Sequence, residues 1–316
     1  MNNHRVKNTL TMSQLDLFYI SYDEPNCEEK WAKLLTIAPW AKRVHGVKGF
    51  DAAHKECAKQ SETSHFITID GDNELYPEFL DITCNVPVEY NDCVLSWASK
   101  NVINGLIYGN GGVKVWPKEQ TLLMQTHENA VEQRFQLDFC WDSKYIQMNN
   151  VYSTTHPNGS ILQAFRAGFR EGCKMSVISG ENVDPSQLSV AIHQKNLKRL
   201  LVWMSVGADV PNGKWAMYGA RLGLIESNLN KDFDITQIRD YDWFKDYFLT
   251  VYDSVATSNE MFNSIMNAMA KTIQQDMGLP CATLTPEQSK FFKFVYEAPL
   301  RTDAFRTEIE VDREGN

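Results

Sequence analysis

The fold is decided by residues 65–73, which read His65-Phe66-Ile67-Thr68-Ile69-Asp70-Gly71-Asp72-Asn73. The first six residues are rich in β-branched and aromatic side chains, and this composition predicts a buried strand. The residues from Asp70 onward favour a turn, so the strand ends there. Two carboxylates, Asp70 and Asp72, are therefore expected at the carboxyl end of a strand.

Two strand-and-helix units precede that strand. Leu15–Ile20 is an apolar run of strand length, and apolar residues spaced three and four apart then predict a helix that ends at Pro39. A short strand at Arg43–Val47 and a helix at Asp51–Gln60 follow. Strands that alternate with helices predict an α/β fold with a doubly wound, mostly parallel sheet. Such sheets bind ligands at the carboxyl ends of their strands, which here carry three loops, 21–26, 46–51 and 70–74.

Three regions are predicted along the chain. Residues 1–12 are polar and patternless, and we expect a flexible N-terminal tail there. The sheet domain is expected over residues 13–180, with an irregular, glycine-rich middle part from about 91 to 158. Residues 181–316 are expected to be largely helical, because apolar side chains recur on one face of two segments, 197–204 and 262–273.

Composition limits the class of protein. The chain has 316 residues, of which 43% are hydrophobic, so it can bury a sizeable core and is not disordered. The apolar runs fall far short of the roughly 20 residues that a membrane span needs, so no membrane partner is expected. Seven cysteines without a Cys-x-x-Cys pair indicate reduced thiols. A cytoplasmic location is the prediction.

Charge is distributed unevenly. Lys and Arg number 31 against 40 Asp and Glu, a net charge of −9, which argues against non-specific coating of nucleic acid. Residues 42–59 carry five basic and two acidic side chains, whereas residues 226–260 carry three basic and eight acidic ones. A basic cleft on an acidic body is compatible with this pattern.

Asp70 and Asp72 have two interpretations. Two carboxylates separated by a glycine can hold Mn²⁺ or Mg²⁺ and leave coordination positions open for a diphosphate. The same residue types also form ordinary turns, and Asp-x-Asp is common by chance. The position at a strand end gives the two interpretations equal weight.

Other polar residues near the strand ends are further candidates. Lys48 could contact a phosphate or sugar, or remain solvated. Ser21-Tyr22-Asp23 could bind a nucleoside by stacking and hydrogen bonding, or form a plain turn. His156 precedes a helix that Ser160 is expected to cap. Its imidazole could be a third metal ligand or a solvated side chain, and a lone loop histidine is more often the latter.

Arginines and tryptophans are ambiguous as well. Arg166 and Arg170 share one face of the helix after Ser160, where pairing with acids such as Glu171 is favoured over phosphate binding. Three tryptophans could stack on a base, although core or rim positions are favoured: Trp97, Trp116 and Trp141.

Longer strings carry a resemblance to a known family. They are Phe18–Asn26, Lys42–Gly49, Ala53–Lys55, Ile69–Asp72 and Lys100–Lys114. Together they resemble the metal-dependent GT-A glycosyltransferases, and most closely those encoded by T4-like and related tailed phages. The resemblance covers about residues 15–172 and is weak in the helical region, which could bind the acceptor.

The resemblance implies a GT-A-like fold and a function. A hexose or arabinose would move from a nucleotide-sugar donor, expected to be a UDP-sugar, to 5-hydroxymethylcytosine in phage DNA inside an infected bacterium. The donor-binding residues that it implies are Ser21, Tyr22, Asp23, Lys48, Asp70, Gly111 and Gly112. The metal ligands that it implies for Mn²⁺ or Mg²⁺ are Asp70, Asp72 and His156, where His156-Pro157 stands in place of the family's Asp-Pro.

The base and the acceptor stay open at this point. An inverting enzyme needs a carboxylate base, for which Glu128 and Asp138 are candidates, whereas a retaining enzyme needs none. The alternative acceptors are a glycan or a small molecule, which the negative net charge favours. A non-catalytic protein that binds nucleotide sugar or DNA is the third hypothesis.

Overall fold

The computed structural model describes residues 7–109, 111–131, 144–296 and 309–313. Its strands are β1 (Lys7–Thr11), β2 (Asp16–Ser21), β3 (Lys42–His45), β4 (His65–Asp70), β5 (Asn73–Leu75), β6 (Ile82–Pro87), β7 (Val94–Asn101), β8 (Ile107–Tyr108), β9 (Lys114–Pro117), β10 (Tyr145–Thr155), β11 (Val177–Ile178), β12 (Glu181–Asn182) and β13 (Glu310–Arg313). Its α-helices are α1 (Cys27–Ile37), α2 (Phe50–Gln60), α3 (Lys118–Leu123), α4 (Ile161–Met175), α5 (Leu188–Ala191), α6 (Gln194–Ser205), α7 (Gly213–Leu229), α8 (Tyr241–Val255), α9 (Asn259–Met277) and α10 (Pro286–Val295). Short 3-10 helices lie at Met12–Gln14, Pro77–Phe79, Val88–Tyr90, His127–Asn129, Pro185–Gln187 and Ile235–Arg239.

A mixed sheet forms the centre of the first half of the chain. Its strand order is β3-β2-β4-β9-β7-β10-β5, with β8 paired to β7. β2 pairs in parallel with β3 and β4, and β7 pairs in parallel with β10. β9 and β5 run antiparallel to their neighbours. The α/β class is therefore confirmed, but the expected mostly parallel sheet is a mixed one, because β9 runs back between β4 and β7.

The three predicted loops begin at one edge of this sheet. Ser21 stands opposite His45 in the parallel register of β2 and β3. Ile20 stands opposite Asp70 in the parallel register of β2 and β4. The loops that follow these three strands therefore start at the same level, as the strand-and-helix pattern predicts.

Helices cover both faces of the strands that carry these loops. Leu17 of β2 packs in one buried cluster with Leu34 of α1. The next residue, Phe18, points to the opposite face and packs with Phe66 of β4 and Cys57 of α2. Because successive strand residues alternate between faces, a strand covered on both sides is apolar throughout. The predicted strands and helices of this segment are confirmed.

Two expectations about irregular segments are wrong. From Lys7 the chain is a strand rather than a flexible tail, since β1 pairs antiparallel with β6 and buries Leu10. The described residues of the middle part are not irregular throughout, because they form β7, β9 and β10. The apolar pattern that predicts strands is weak here because several buried strand residues are serines. These serines form hydrogen bonds across the sheet. Ser99 Oγ, for example, donates a hydrogen bond of 3.1 Å to the Ser153 carbonyl.

The described chain after β10 is largely helical and begins at α4, within the range predicted for the sheet domain rather than at residue 181. Helices α4 and α7 approach each other closely, since a Cβ atom on Gly168 would overlap the Ala216 carbonyl oxygen. The predicted apolar faces of α6 and α9 are buried, with Leu200 and Met266 as examples. Within the described ranges, none of the helices is both long and apolar enough to cross a membrane.

Candidate functional site

Three carboxylates meet at the carboxyl end of β4. Asp70 ends that strand, Asp72 follows Gly71, and Glu24 reaches the same turn from the loop after β2. The Glu24 Oε2 atom accepts a hydrogen bond of 2.7 Å from the Tyr22 backbone N–H. A Cβ atom added to Gly71 would lie 2.6 Å from that oxygen. The Glu24 carboxylate therefore lies over the glycine between the two aspartates, and a side chain at position 71 would displace it.

These carboxylates repel one another, and water screens the repulsion only in part because the turn is half-buried. Burial, and next the charges of Asp70 and Glu24, raise the pKa of Asp72 to about 7. Burial also raises the pKa of Glu24, against the effect of its backbone hydrogen bonds. The positive charges of Arg166 and Lys30 oppose the rise in the pKa of Asp72. A divalent cation would relieve this repulsion, and carboxylate oxygens are ligands that Mn²⁺ and Mg²⁺ accept.

Arg166 lies beside this cluster and not on the surface. Arg166 is only 8% exposed, and its guanidinium carbon lies 3.8 Å from the centre of the Tyr241 ring. Its Nη1 atom lies 4.0 Å from Asp23 Oδ1. Glu171 accepts a hydrogen bond from another side chain, the Tyr108 hydroxyl, at 2.6 Å. Arg166 therefore pairs with an acid as expected, but the acid is Asp23 and not Glu171, and Arg166 is buried and not on the surface.

Helix α8 brings opposite charges to the loops after β2 and β3. Lys48 forms an ion pair with Asp242, and Lys245 Nζ lies 3.7 Å from Asp23 Oδ2. The Lys48 and Asp242 side chains are 65% and 56% exposed, so solvent screens their attraction. Two predicted donor-binding residues, Asp23 and Lys48, thus lie beneath the start of a helix that is distant in the sequence.

His156 lies next to an acidic residue that is already paired. Its backbone N–H donates a hydrogen bond of 2.8 Å to the Asp72 carbonyl, which brings the two predicted metal ligands into one turn. Its Nε2 atom is 3.6 Å from Glu74 Oε1 and has no hydrogen-bond partner among the described residues. Lys30 and Lys33 hold Glu74 at 3.1 and 2.6 Å. Burial, and next the charge of Lys30, lower the pKa of His156, which favours the neutral imidazole that a metal ligand requires.

Ser21 is engaged within the protein. Its Oγ accepts a hydrogen bond of 3.0 Å from Arg43 Nε and lies 3.0 Å from His45 Nδ1. Arg43 also donates to both carboxylate oxygens of Glu28, at 2.9 and 2.6 Å. These contacts join the end of β2 to β3, and Ser21 is buried among them. These structural contacts explain the position of Ser21 without a role in donor binding. Tyr22 lies half-buried in the loop itself.

The predicted glycine pair lies between β8 and β9. The Asn73 side-chain amide donates a hydrogen bond to the Gly111 carbonyl, which joins this loop to the turn of Asp72. Gly111 has a φ of +68°, a conformation that favours glycine. A Cβ atom on Gly112 would overlap the Trp97 carbonyl oxygen. Gly111 is therefore adjacent to the acidic turn, whereas close packing on β7 accounts for Gly112.

Glu128 caps a helix. Its Oε1 accepts a hydrogen bond of 2.9 Å from the Ala52 N–H in the first turn of α2, and its carboxylate lies against Gly49. A carboxylate in this place satisfies a free amide group and interacts favourably with the helix dipole. This capping accounts for the position of Glu128 without a catalytic role. Asp138, the other candidate base, lies outside the described residues.

Two residues of the site were not predicted. Glu24 stands in a loop that was expected to bind ligands, and a third carboxylate at a strand end was a usable signal. No signal in the sequence pointed to Tyr241, because its contact with Arg166 joins helices that are distant in the sequence. Trp97 and Trp116 are buried in the core, as favoured, whereas Trp141 lies outside the described residues.

A metal at this site would need ligands from a bound substrate. In the part of the chain that the structure describes, no three His, Cys, Asp or Glu side chains are grouped so that they could hold a metal ion. The crowded carboxylates and the unpartnered His156 Nε2 fit a partial ligand set that a diphosphate would complete. No protein-family model, curated protein or solved structure matches the chain. The function is therefore inferred from the geometry of this site and from the resemblance in the sequence.

Proposed function

We propose that the chain is a metal-dependent glycosyltransferase of the GT-A type that transfers a sugar from a nucleotide-sugar donor to 5-hydroxymethylcytosine in DNA. The observation that carries the proposal is the group of Asp70, Asp72 and Glu24 at the carboxyl end of β4. α/β sheets bind ligands at this edge. The resemblance of residues 15–172 to phage glycosyltransferases supplies the expected donor and acceptor.

The acidic turn is the proposed metal site. Asp70 and Asp72 would hold Mn²⁺ or Mg²⁺ together with the donor's diphosphate, and His156, whose Nε2 lies 3.6 Å from Glu74, would have to reorient to become a third protein ligand. The bound cation supplies charge neutralisation for a departing nucleoside diphosphate. Glu24, which lies over Gly71, increases the negative charge that attracts the cation.

The remaining residues would bind and orient the donor. Tyr22 and Asp23 lie in the loop after β2 and would contact the nucleoside, and Lys48 would contact the ribose or a phosphate. Arg166 faces the same loop from a buried position on the Tyr241 ring. A buried guanidinium interacts strongly with anions because solvent screens it little. We therefore assign Arg166 to the donor's diphosphate.

The reaction exchanges one bond for another. The oxygen of the acceptor hydroxyl forms a bond to the anomeric carbon while the bond from that carbon to the diphosphate breaks. The electron pair of the broken bond leaves on the diphosphate, where Arg166 would stabilise the developing charge. The hydroxyl proton passes to a carboxylate base or to the leaving phosphate. Glu128 is engaged in capping α2, so we do not assign it as the base.

A donor screen tests the proposal. The protein is incubated with Mn²⁺ and a panel of nucleotide sugars, on DNA containing 5-hydroxymethylcytosine and on unmodified DNA, and the digested nucleosides are analysed by mass spectrometry. A hexose or pentose increment on the hydroxymethylated nucleoside alone is the expected result. Absence of both the increment and metal-dependent donor hydrolysis would contradict the proposal and favour a non-catalytic binding protein.

One observation favours a second acceptor class. The net charge of −9 opposes the approach of a polyanion such as DNA. The same chemistry on a glycan or small-molecule hydroxyl would meet no such barrier. Metal-dependent hydrolysis of one nucleotide sugar, without transfer to DNA, is the result that this alternative predicts.

A further inference from the structure

A second cleft lies in the helical part of the chain, outside the acidic turn. Its volume is about 550 Å³, within the range of about 300 to 1,000 Å³ that small-molecule sites occupy. The start of α7, the end of α8 and the start of α9 form its walls, together with Ile161 at the start of α4. None of these residues belongs to the proposed donor site.

Aromatic rings form one wall of this cleft. The rings of Trp215 and Tyr252 are stacked, with centroids 5.6 Å apart and an angle of 25° between their planes. Phe262, which also lines the cleft, packs edge-on against Trp215 with the ring centroids 4.9 Å apart. Tyr252 is 36% exposed, so part of its ring is available to a ligand. Such a surface suits a planar base, which stacks on aromatic side chains.

The residues that line the cleft carry one positive charge and no negative charge. The chain has a net charge of −9, yet no Asp or Glu is among the residues that line the cleft. Lys214 lines it and is exposed, and it has no ion-pair partner among the described residues. The side-chain amides of Asn212 and Asn259 add polar groups. An anion is therefore tolerated here, although most of the surface would repel it.

The cleft is connected to the acidic turn by a short segment. Asn158 and Asn212 are joined by a hydrogen bond of 3.0 Å from Asn212 Nδ2 to the Asn158 carbonyl. Asn158 Nδ2 donates in return to the Pro211 carbonyl, also at 3.0 Å. Two residues earlier, the His156 backbone N–H is bonded to the Asp72 carbonyl. One wall of the cleft is thus fixed to the turn that would hold the metal.

We propose that this cleft binds a nucleotide of the polynucleotide acceptor, with the base on the Trp215–Tyr252 wall and the phosphate near Lys214. This inference rests on the proposed function, whose acceptor it locates. A neutral sugar would also stack on aromatic rings, but it would gain nothing from Lys214 or from the absence of carboxylates. The charge of the cleft therefore favours a nucleotide over a glycan.

Photo-crosslinking tests the inference without any donor. A single-stranded oligodeoxynucleotide carrying one 5-iododeoxycytidine is irradiated with the full chain, and the crosslinked peptides are mapped by mass spectrometry. The expected crosslinks are to Trp215 or Tyr252. Substitutions at two exposed residues, Lys214→Glu and Tyr252→Leu, are each expected to reduce the crosslink yield by about fivefold or more. Their melting temperatures are measured to show that the variants fold.

The matched control is Lys231→Glu, which makes the same charge change at an exposed lysine just beyond the opposite end of α7. It is expected to keep the yield of the unmodified chain. Crosslinks only at other positions, or equal losses in Lys214→Glu and Lys231→Glu, would overturn the inference. Competition by a neutral oligosaccharide as strong as that by deoxycytidine monophosphate would also overturn it.

Donor hydrolysis with Mn²⁺ is measured on the same unmodified protein. Hydrolysis without crosslinks at the cleft leaves the transferase proposal standing and refutes the acceptor site. Crosslinks at the cleft without hydrolysis refute the transferase proposal and leave the cleft as a nucleotide-binding site that is not an acceptor site. The two failures are therefore distinguishable.

Discussion

Arg166 of α4 and Tyr241 of α8 are stacked, with the guanidinium carbon 3.8 Å from the ring centre. This contact joins two helices across the proposed donor site and buries a positive charge near Asp72 and Asp23. The ring shields the guanidinium from water on one side, so its charge is available mainly to the loop after β2.

Replacement of Arg166 by glutamine is expected to weaken nucleoside diphosphate binding by about 10- to 100-fold, because charge-assisted hydrogen bonds to phosphate are lost. Titration calorimetry with UDP and Mn²⁺ measures this loss. The control is Arg199→Gln, since Arg199 stacks in the same way on Tyr108, at 4.6 Å, outside the site. Equal affinities for the two variants would remove Arg166 from the donor site.

The Asp72→Asn variant is expected to be more stable and inactive. The pKa of Asp72 in the folded state, about 7, lies above its ordinary value, so at neutral pH the charged carboxylate destabilises the folded state. A neutral amide removes this penalty, by about 1 to 3 kcal/mol for a half-buried group. Urea unfolding and Mn²⁺-dependent donor hydrolysis measure the two effects. Asp81→Asn, at an exposed position, should change neither.

Asp242→Asn is expected to strengthen nucleotide binding. The Asp242 carboxylate pairs with Lys48 and competes with a phosphate for the ammonium group. Removing it should raise the affinity for UDP by about two- to fivefold at low salt, and the gain should vanish at high salt. Titrations at two ionic strengths check this, with Asp253→Asn on the same helix as the control. An unchanged affinity would indicate that Lys48 is only solvated.

Buried His54 is expected to make stability depend on pH. Its Nδ1 bonds to the Phe50 carbonyl at 2.8 Å, its ring lies 4.4 Å from that of Trp116, and burial lowers its pKa to about 4. The unfolded state binds a proton on His54 more readily than the folded state does. The contribution of neutral His54 to the free energy of unfolding is therefore complete above pH 6.5. About 3 kcal/mol is lost as the pH falls towards 4.

Urea unfolding at several pH values measures this slope. The His54→Leu variant should have a flatter dependence on pH between 6.5 and 4.5 than the unmodified chain. His193→Asn replaces an exposed histidine that caps α6 with another good capping residue, so it should keep the original slope. A His54→Leu variant with the original slope would assign the pH dependence to other groups.

Arg221 is expected to be essential for the stability of the helical part. It is fully buried, and it donates to the Met204 carbonyl at 3.0 and 2.8 Å and to the Met266 carbonyl at 2.8 Å. Arg221→Met would leave these buried carbonyls without that donor, at a cost of about 3 kcal/mol in the free energy of unfolding. Chemical denaturation checks this, with the half-buried Arg199→Met expected to lose less than about 1 kcal/mol. Equal losses would show that Arg221 has no special role.

The sequence predicted those parts of the site that depend on local pattern. The apolar run that ends at Asp70 predicted both β4 and the position of its carboxylates, and strand-and-helix alternation placed the loop of Asp23 at the same edge. Such predictions succeed because side-chain periodicity follows directly from helix and strand geometry. The fold of the first 70 residues after the amino-terminal strand is therefore largely readable from the sequence.

Local pattern misled where polar residues are satisfied by distant partners. The serines of β7 lower its apolar content, yet Ser99 is bonded to Ser153 across the sheet. Glu128 resembles a free carboxylate in sequence, but it caps α2. Arg166 looked like a surface residue because nothing in its own helix indicates the Tyr241 ring. Each outcome depends on a partner that no local window contains.

The sequence by itself determined the α/β class, the strand ends and the acidic turn, because these follow from residue order within short segments. Only the tertiary structure decided that β9 runs back between β4 and β7 and that Glu24 lies over Gly71. It also decided that α8 meets α4 at Arg166. Long-range contacts form only when the whole core is packed, since their free energy depends on burial and on neighbouring charges.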